Sequence, residues 1–352
     1  MANWEQNVRK VTPYVPGEQP AQSGIIKLNT NENPYPPAPG VAKALQELEA
    51  ERLRLYPDPT ASELTKALAA RYGVNENQVF VGVGSDDVLA LAFLTFFNGA
   101  EPILFPDITY SFYEVWANLY RIPYRCPPLD EHFCIRKEDY CQACGGIVLA
   151  NPNAPTGLAA DLSVIEEIVR SNPKVIVIVD EAYIDFGGTS AVSLIPSYEN
   201  LLVVQTFSKS RSMAGMRIGY ALGQPALIRY LQDVKYSFNS YTMDLSALKL
   251  GAAALADEAY FQQTLEKIIG TRERVKGALQ ELGFVCLDSQ SNFIFAAHPV
   301  FSAAELFEAL KRQQIYVRHF DRPRISDYLR ITVGTEEEME RLLSFLRHLV
   351  QR

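Results

Sequence analysis

A lysine and an aspartate each stand where a buried strand is expected to end, and together they could do chemistry. Lys209 follows the stretch 203–207, which has the pattern of a buried strand, and Asp180 follows the apolar run 175–179. Burial of an unpaired ammonium or carboxylate is costly, so each group needs either solvent or a partner. Lys209 is then a lysine that reaches the surface, or a reactive amine that forms an imine with an aldehyde. Asp180 needs a cation, which a protonated ring nitrogen would supply.

Further polar residues follow the other short apolar runs. Gly84 precedes a predicted helix, whose free N–H groups and positive dipole end suit a phosphate, although a tight turn is the plain alternative. Arg217 would add a fixed cation with a planar donor fork. Ligands bind at the carboxyl ends of the strands in an open parallel sheet. We therefore expect one rim to gather these groups and Ser85, Asp86, Thr109, Tyr110, the stretch 151–157, Tyr183, Thr206 and Ser208.

The elements that must position these residues alternate along the chain. Apolar runs without polar alternation suit strands that are buried on both faces, as in a parallel sheet covered by helices. The predicted strands of this region are 79–83, 103–105, 147–150, 175–179 and 201–205, and the predicted helices are 64–72 (its C-terminal part), 85–97, 161–170 and 225–236. The sequence therefore predicts an α/β fold with a mostly parallel central sheet sandwiched by helices.

The pattern changes after about residue 244. A long helical stretch at 257–282 precedes predicted strands at 292–296, 315–318 and 329–333, with helices at 302–312 and from Glu336. This order predicts a smaller α+β domain. The first 30 residues are rich in Pro, Asn and Gly and are expected to be irregular. We predict an N-terminal arm over 1–30, a large domain over 31–243 and a small domain over 244–352.

Composition limits the kinds of partner. The 352 residues carry a net charge of −8, which argues against nucleic acid and anionic membranes. The N-terminus has no basic region followed by an apolar run, and no apolar stretch reaches about 18 residues, so neither a signal peptide nor a membrane span is expected. Five cysteines, with one CxxC at Cys141 and Cys144 and no histidine pair, predict reduced thiols, no metal and a cytoplasmic location.

Taken together, these residues identify a resemblance. The chain resembles the fold-type-I pyridoxal-phosphate enzymes, and among them the histidinol-phosphate aminotransferase family. The resemblance runs from Tyr14 to Thr335. It rests on the stretches 28–35, 55–59, 151–157, 180–183, 206–209 with Arg217, and 329–335. It implies pyridoxal 5′-phosphate as cofactor and an amino exchange between L-histidinol phosphate and 2-oxoglutarate, within histidine biosynthesis.

The resemblance also implies roles for residues around the cofactor. Lys209 would hold the cofactor and move a proton between it and the substrate, while Asp180 would pair with the pyridinium nitrogen. Tyr183 and Asn153 would hydrogen-bond the phenolic oxygen of the ring, and Tyr110 would stack on the ring. The groups expected to hold or surround the cofactor phosphate are Gly84, Ser85, Asp86, Thr206, Ser208 and Arg217.

The substrate side and the assembly follow from the same resemblance. Arg330 would bind the anion of each substrate in turn, with Arg318 and Tyr14 as helpers. Asn31, Glu32 and Asn33 are candidates for the imidazole side. Tyr56 would reach the cofactor phosphate of the other subunit, which implies a homodimer.

One departure from the family pattern affects the ring contact. Related transaminases often carry Asn directly before the Pro-Thr-Gly that begins at Pro155. This chain has Ala154 there. The contact with the ring would then fall to Asn153.

Three alternatives stay open at the level of sequence. An aromatic amino-acid aminotransferase would use the same scaffold. A pyridoxal-phosphate decarboxylase of a phosphorylated amino acid, such as threonine phosphate, would need the same lysine, aspartate and cationic pocket. A non-catalytic binding protein would not need Lys209, and its presence argues against that interpretation.

Overall fold

The computed structural model describes residues 3–14, 17–20, 22 and 24–350. Parts of the predicted arm, at 1–2, 15–16, 21 and 23, and the last two residues of the predicted small domain lie outside the described residues. The α-helices are α1 (Pro39–Gln46), α2 (Ser62–Tyr72), α3 (Ser85–Phe96), α4 (Phe112–Tyr120), α5 (Leu162–Ser171), α6 (Pro225–Phe238), α7 (Leu245–Ala256), α8 (Glu258–Glu281), α9 (Ala303–Arg312) and α10 (Glu336–Val350).

The strands form three sheets within the described residues. Their bounds are β1 (Ile26–Lys27), β2 (Val79–Gly82), β3 (Ile103–Leu104), β4 (Tyr124–Arg125), β5 (Gly146–Ala150), β6 (Val177–Asp180), β7 (Leu201–Thr206), β8 (Gly219–Gly223), β9 (Val285–Cys286), β10 (Phe293–Ala297), β11 (Ile315–Tyr316), β12 (Arg318–His319) and β13 (Tyr328–Thr332).

The central sheet has seven strands in the order β2-β8-β7-β6-β5-β3-β4. Neighbouring strands from β7 to β4 pair in parallel, whereas β8 is antiparallel to both β7 and β2. Every residue of β5, β6 and β7 is buried, which explains why these strands have apolar residues without alternation. The predicted mostly parallel sheet between helices is confirmed.

The antiparallel strand β8 and the helix α4 were not predicted. Residues 219–223 read Gly-Tyr-Ala-Leu-Gly, and glycine is depleted in strands, so the segment gives a weak strand pattern. Pairing between two buried strands overrides that preference. Helix α4 contains five aromatic or β-branched residues among its nine, Phe112, Tyr113, Val115, Trp116 and Tyr120, and its helical conformation depends on their packing.

The second sheet is antiparallel, in the order β12-β13-β10-β9. The single strand predicted at 315–318 is two strands in different sheets. Residues 315 and 316 form β11, which pairs in parallel with β1, whereas 318 and 319 form β12 beside β13. The arm is therefore not irregular throughout, because Ile26 and Leu28 are buried in the core of the C-terminal part.

The division near residue 244 remains a prediction, but the packing of α7 bears on it. Ala247, Leu248 and Leu250 of this helix belong to the same buried cluster as Leu64 and Ile218. Helix α7 thus packs with the central-sheet side, although it follows the predicted boundary. No helix among the described residues is long and apolar enough to cross a membrane.

Candidate active site

The ends of β6 and β7 open into a cavity of about 590 Å³, measured with its mouth. Parallel neighbours bring these ends together, because Asp180 and Val204 are register partners. The side chains that line the cavity are Ser85, Asp86, Tyr110, Ala150, Pro152, Ala154, Asp180, Ala182, Tyr183, Thr206, Ser208, Lys209 and Arg217. The predicted rim therefore exists, and it includes both the lysine and the aspartate from which the prediction began.

Asp180 lies at the floor of the cavity and is 5% exposed. Its Oδ2 accepts a hydrogen bond of 2.7 Å from the Tyr113 hydroxyl, and its Oδ1 accepts one of 3.2 Å from the Ala182 N–H. Burial outweighs these bonds and raises the pKa of Asp180 to about 6. A buried carboxylate in this state favours a cation placed in the cavity above it.

Lys209 also lines the cavity, and its side chain contacts Thr30 at the end of the predicted N-terminal arm. Its Nζ donates to the Thr30 carbonyl oxygen at 3.2 Å and lies 5.7 Å from the centre of the Tyr183 ring. The Tyr183 hydroxyl in turn accepts a hydrogen bond of 2.8 Å from the Asn31 Nδ2. Asn31 is tied to β13, where its backbone N–H donates to the Thr332 hydroxyl at 3.0 Å.

The opposite side of the cavity is suited to an anion. Helix α3 begins at Ser85 and points its free N–H groups toward the cavity. Arg217 donates from Nη1 to the Ser208 hydroxyl at 3.5 Å and forms a 3.2 Å ion pair with Asp86. Thr206 donates to Ser208 at 3.0 Å. The cluster presents a guanidinium, hydroxyls and a helix N-terminus at one point.

Two glycines allow this cluster to form. Gly84 has a φ of +85°, and a Cβ there would lie 2.5 Å from Arg217 Nη2. A Cβ on Gly219 would lie 2.2 Å from the backbone carbon of Gly84 and from the N of Ser85. The start of α3 therefore rests directly on the backbone of β8, which only a glycine permits.

Asn153 does not line the cavity, contrary to the prediction of a ring contact. Its Oδ1 accepts a hydrogen bond of 2.8 Å from the Thr109 hydroxyl. Its Nδ2 donates hydrogen bonds to the Ile108 carbonyl and the Thr156 hydroxyl, at 2.9 and 3.1 Å. All three contacts lie within the loops, so the amide supports the loop conformation. The adjacent methyl group of Ala154 faces the cavity instead.

A second, larger cavity of about 2260 Å³ adjoins the first through Tyr110 and Ala154. Arg318 and Arg330 both line it, and they are register partners on β12 and β13. Arg330 lies between the rings of Phe293 and Phe320, at 5.3 and 5.4 Å. Its Nη2 donates to the Asn29 carbonyl oxygen at 3.0 Å, whereas its buried Nε has no partner among the described residues.

The paired arginines have no carboxylate partner within the part of the chain that the structure describes. Burial and the neighbouring charge of Arg318 lower the pKa of Arg330, although an arginine stays protonated in proteins. Two adjacent cations and an unused donor favour a bound anion. The predicted pair at 318 and 330 thus lies beside the Lys209 cavity.

Of the remaining predicted residues, one lines the larger cavity and two lie outside both cavities. Tyr14 lines the larger cavity and stacks on Phe112 with ring centres 4.2 Å apart. Asn33 lines neither cavity, because its amide donates to the Ser210 carbonyl at 3.1 Å and so braces the Lys209 loop. Tyr56 is 82% exposed and stacks on Tyr241 at 4.6 Å, outside both cavities.

The structure adds residues for which no site role was predicted. Tyr113 contacts Asp180, and Thr30 contacts Lys209. The aromatic stretch 110–116 carries no spacing that distinguishes Tyr113 from its neighbours. Asn31, which the sequence suggested only as a possible imidazole contact, holds Tyr183 instead.

Comparison with known proteins identifies the family of this chain. Residues 23–346 match the model of the family described as aminotransferase class I and II. The fold and the site define the chain as a fold-type-I aminotransferase, a member of that family.

A curated relative narrows the family. The histidinol-phosphate aminotransferase of Lactococcus lactis subsp. cremoris is 52% identical over 99% of this chain and 98% of its own length. The chain belongs to the histidinol-phosphate aminotransferase family.

Solved structures confirm the fold. The Sinorhizobium meliloti histidinol-phosphate aminotransferase, solved in complex with pyridoxal-5′-phosphate, has a TM-score of 0.83 at 23% identity, covering 93% of this chain and 91% of that one. The L-threonine-O-3-phosphate decarboxylase of Porphyromonas gingivalis has a TM-score of 0.79 at 22% identity, covering 93% and 100%. At these identities the likeness concerns the fold alone and does not separate the two reactions.

Proposed function

We propose that this chain is a pyridoxal-phosphate-dependent transaminase that exchanges an amino group between L-histidinol phosphate and 2-oxoglutarate. The observation that carries this proposal is the position of two arginines without carboxylate partners, Arg318 and Arg330, in a cavity that adjoins Lys209 and Asp180. Both substrates are amines or oxo acids that carry a separate anion. Family membership supports the same reaction.

The residues of the smaller cavity fit the cofactor. The raised pKa of Asp180 reflects a buried carboxylate without a cation, which a pyridinium nitrogen would supply. The start of α3, Ser208 and Arg217 would hold the phosphate, and Tyr110 would cover the ring. Tyr183 would donate to the phenolic oxygen. Because Ala154 has no donor and Asn153 is engaged in its loop, Tyr183 is the protein group that we assign to that oxygen.

When bound, pyridoxal phosphate provides an aldehyde that bonds to an amine and a protonated ring that accepts electrons from the substrate carbon. Lys209 Nζ would bond to that aldehyde and, once released, would carry the proton removed from the substrate Cα. Its position within 5.7 Å of the Tyr183 ring, held by the Thr30 carbonyl, keeps the amine on one side of the cavity. Asp180, buried and acceptor-only, would keep the ring nitrogen protonated.

Arg318 and Arg330 would bind the two substrate anions in turn. In one half-reaction the anion is the phosphate of histidinol phosphate, and in the other it is the distal carboxylate of glutamate. A guanidinium fork can accept either group. The Tyr14 ring, stacked on Phe112, would close the same cavity on its arm side.

An aromatic amino acid is a second candidate substrate, which the aromatic lining of the larger cavity favours. Tyr14, Tyr110 and Phe320 all face it. A coupled assay with 2-oxoglutarate would test histidinol phosphate, phenylalanine, tyrosine, aspartate and threonine phosphate. We expect glutamate to form fastest with histidinol phosphate. Carbon dioxide release from threonine phosphate without glutamate formation would refute the transaminase proposal in favour of a decarboxylase.

We also propose a homodimer in which Tyr56 reaches the cofactor phosphate of the partner subunit. The exposed side chains of Leu53, Leu55 and Tyr56 lie in one segment, and those of Phe238 and Tyr241 lie at the end of α6 and just after it. The Tyr56–Tyr241 stack joins the two segments, and exposed apolar patches mark interfaces. Arg217, at the phosphate end of the cavity, is also exposed, so a partner residue could reach it.

A cytoplasmic location is the last part of the proposal. All five cysteines are free, and reduced thiols are typical of that compartment.

The division into an arm, a large domain from residue 31 and a small domain near 244 remains part of the same proposal, with α7 packed on the large-domain side.

A further inference from the structure

A buried polar chain lies behind the active site, on the other face of the central sheet. Glu181 and Gln205 directly follow the register partners Asp180 and Val204, and side chains alternate between faces along a strand. Glu181 is 1% exposed and Gln205 is 3% exposed. Their side chains meet at 2.7 Å, so they link the two strand ends that carry Asp180 and Lys209.

Glu181 is a buried carboxyl without a cation. Its Oε2 accepts a hydrogen bond of 2.6 Å from the Ser190 hydroxyl, and its Oε1 accepts one of 2.6 Å from the Ala191 N–H. No ion pair involves Glu181 among the described residues, and the nearest influential charge is the like charge of Asp185. An unpaired buried carboxylate is costly, which favours its neutral form.

Beyond Gln205, two tyrosines close a triangle. The Tyr72 and Tyr220 hydroxyls lie 2.6 and 2.8 Å from one terminal atom of the Gln205 amide, and 2.7 Å from each other. If that amide atom is the oxygen, three oxygens share three short contacts but only two hydrogens. One contact would then bring lone pairs together without a proton, which no hydrogen bond permits.

Exchanging the oxygen and nitrogen positions of the Gln205 amide supplies enough hydrogens for all three contacts. The two N–H groups of Gln205 then donate to Tyr72 and Tyr220, and one tyrosine donates to the other, so every contact in the triangle has its hydrogen. The amide oxygen now faces Glu181 Oε2 at 2.7 Å. Two acceptors cannot meet at that distance, so a hydrogen must lie on the carboxyl.

We propose that Glu181 carries a proton in the folded enzyme, and that it positions the active-site strand ends by donating that proton to the Gln205 carbonyl oxygen. Glu181 touches neither cavity and acts through the ends of β6 and β7. This protonation is a property separate from transamination, and the spectroscopic test of it does not require transaminase activity.

The surroundings of Glu181 agree with this state. The groups around it are Ser190 and Ala191 of the turn at 190–191, Gln205 of β7 and, beyond the amide, Tyr72 of α2 and Tyr220 of β8. Asp185 also acts on it from the turn that follows Tyr183. The charges of Arg71 and Arg211 act on Tyr72 and Tyr220, and both guanidinium groups pair with Glu258. Burial raises the pKa of Glu181 to about 7.

The sign of the pH effect follows from proton binding. Between the ordinary value of 4.5 and about 7, the folded protein keeps a proton on Glu181 that the unfolded chain has lost. This contribution to stability is therefore complete at low pH and is lost as the pH rises through about 7.

Infrared difference spectroscopy of the full-length protein tests the protonation directly. Near pH 6, which lies below the raised pKa, the wild type should show the carbonyl band of a protonated carboxylic acid that is absent from Glu181→Gln. The control Glu199→Gln, at an exposed carboxyl, should leave that band unchanged. A wild-type spectrum without a band that depends on residue 181 would overturn the proposal, whether or not the protein transaminates.

Thermal unfolding and cofactor titration test the positioning role. The melting temperature of the wild type should fall relative to Glu181→Gln as the pH rises from about 5 to about 8. Glu181→Ala should weaken cofactor binding roughly tenfold, whereas Glu181→Gln, which still donates to Gln205, should restore it to within about twofold. Parallel melting curves would contradict the protonation, and wild-type cofactor affinity in the alanine variant would contradict the positioning.

Discussion

At the scale of single residues, Asp180 determines how the site responds to pH. Its raised pKa of about 6 means that the empty site loses its carboxylate charge in mildly acidic solution. A pyridinium cation prefers the ionised form, so cofactor affinity should fall as the pH drops through about 6. Titrations of the cofactor-free protein between about pH 5 and about pH 8 would measure this dependence.

Asp180→Asn is the matched variant for that measurement. It keeps the shape of the side chain but removes the charge, so we expect weaker binding with little change across the same pH range. Equal pH dependence in both proteins would assign the effect to a different group.

Arg330 is the second residue with a separable effect. Replacing Arg330 with Ala should raise KM for both glutamate and histidinol phosphate, because one guanidinium would serve both anions. A charged hydrogen bond contributes about 1.5–3 kcal/mol, or roughly 10- to 150-fold. Steady-state kinetics with each substrate would measure the change, and loss of only one substrate would show that the two anions bind at different places.

At the scale of elements, the contact between β8 and the start of α3 controls the phosphate side. Gly219→Ala would place a methyl group about 2.2 Å from Gly84 and Ser85. The start of α3 must then move, which should cost about 1–3 kcal/mol of unfolding free energy and weaken binding of the cofactor phosphate. Thermal unfolding and cofactor titration would report both effects.

Gly215→Ala is the control for that change. A Cβ at Gly215 would meet no atom within 4 Å, and the residue lies in the same segment between the lysine and β8. It should behave as the wild type. If both variants lost the same stability and affinity, the close approach at Gly219 would not be the cause.

The loop that carries Tyr56 is held by a second set of element contacts. Lys235 of α6 donates to the Pro59 carbonyl at 2.6 Å, and Tyr236 donates to the same oxygen at 3.3 Å. Asp58 accepts from the backbone N–H groups of Thr60 and Ser62, which fixes the start of α2. The exposed Tyr56 thus lies on a well-anchored loop, which supports the proposed contact with a partner subunit.

At the scale of the whole molecule, the proposed dimer predicts complementation between defective chains. Lys209→Ala chains and Tyr56→Phe chains would form hybrids with one complete site, because each site uses its own Lys209 and the partner's Tyr56. Random pairing of equal amounts should recover about one quarter of the wild-type activity when cofactor is limiting. Mixing Lys209→Ala with the double variant Lys209→Ala/Tyr56→Phe provides the control. Failure of the first mixture to gain activity over its components would exclude the shared site.

Local sequence pattern was sufficient to predict most strands of the central sheet and the chemistry of the residues at their ends. The apolar run before Asp180 and the strand pattern before Lys209 predicted buried parallel strands, and parallel neighbours must bring their carboxyl ends to one edge. That argument placed Ser85, Asp180 and Lys209 in one site before any coordinates. Arg318 and Arg330 followed from the resemblance to the family. Their pairing across two strands was not predicted, because residues 315–318 were expected to form one strand.

Contacts between residues far apart in the chain became known only from the three-dimensional packing. Asn31 lies beside Tyr183, Tyr113 contacts Asp180, and Asn153 turns away into its loop, because the packing of loops from separate elements selects one hydrogen-bonding partner among several. The strand β8 likewise forms because two buried neighbours pair with it. Such choices depend on which atoms meet in space, and local pattern in one chain does not encode them separately.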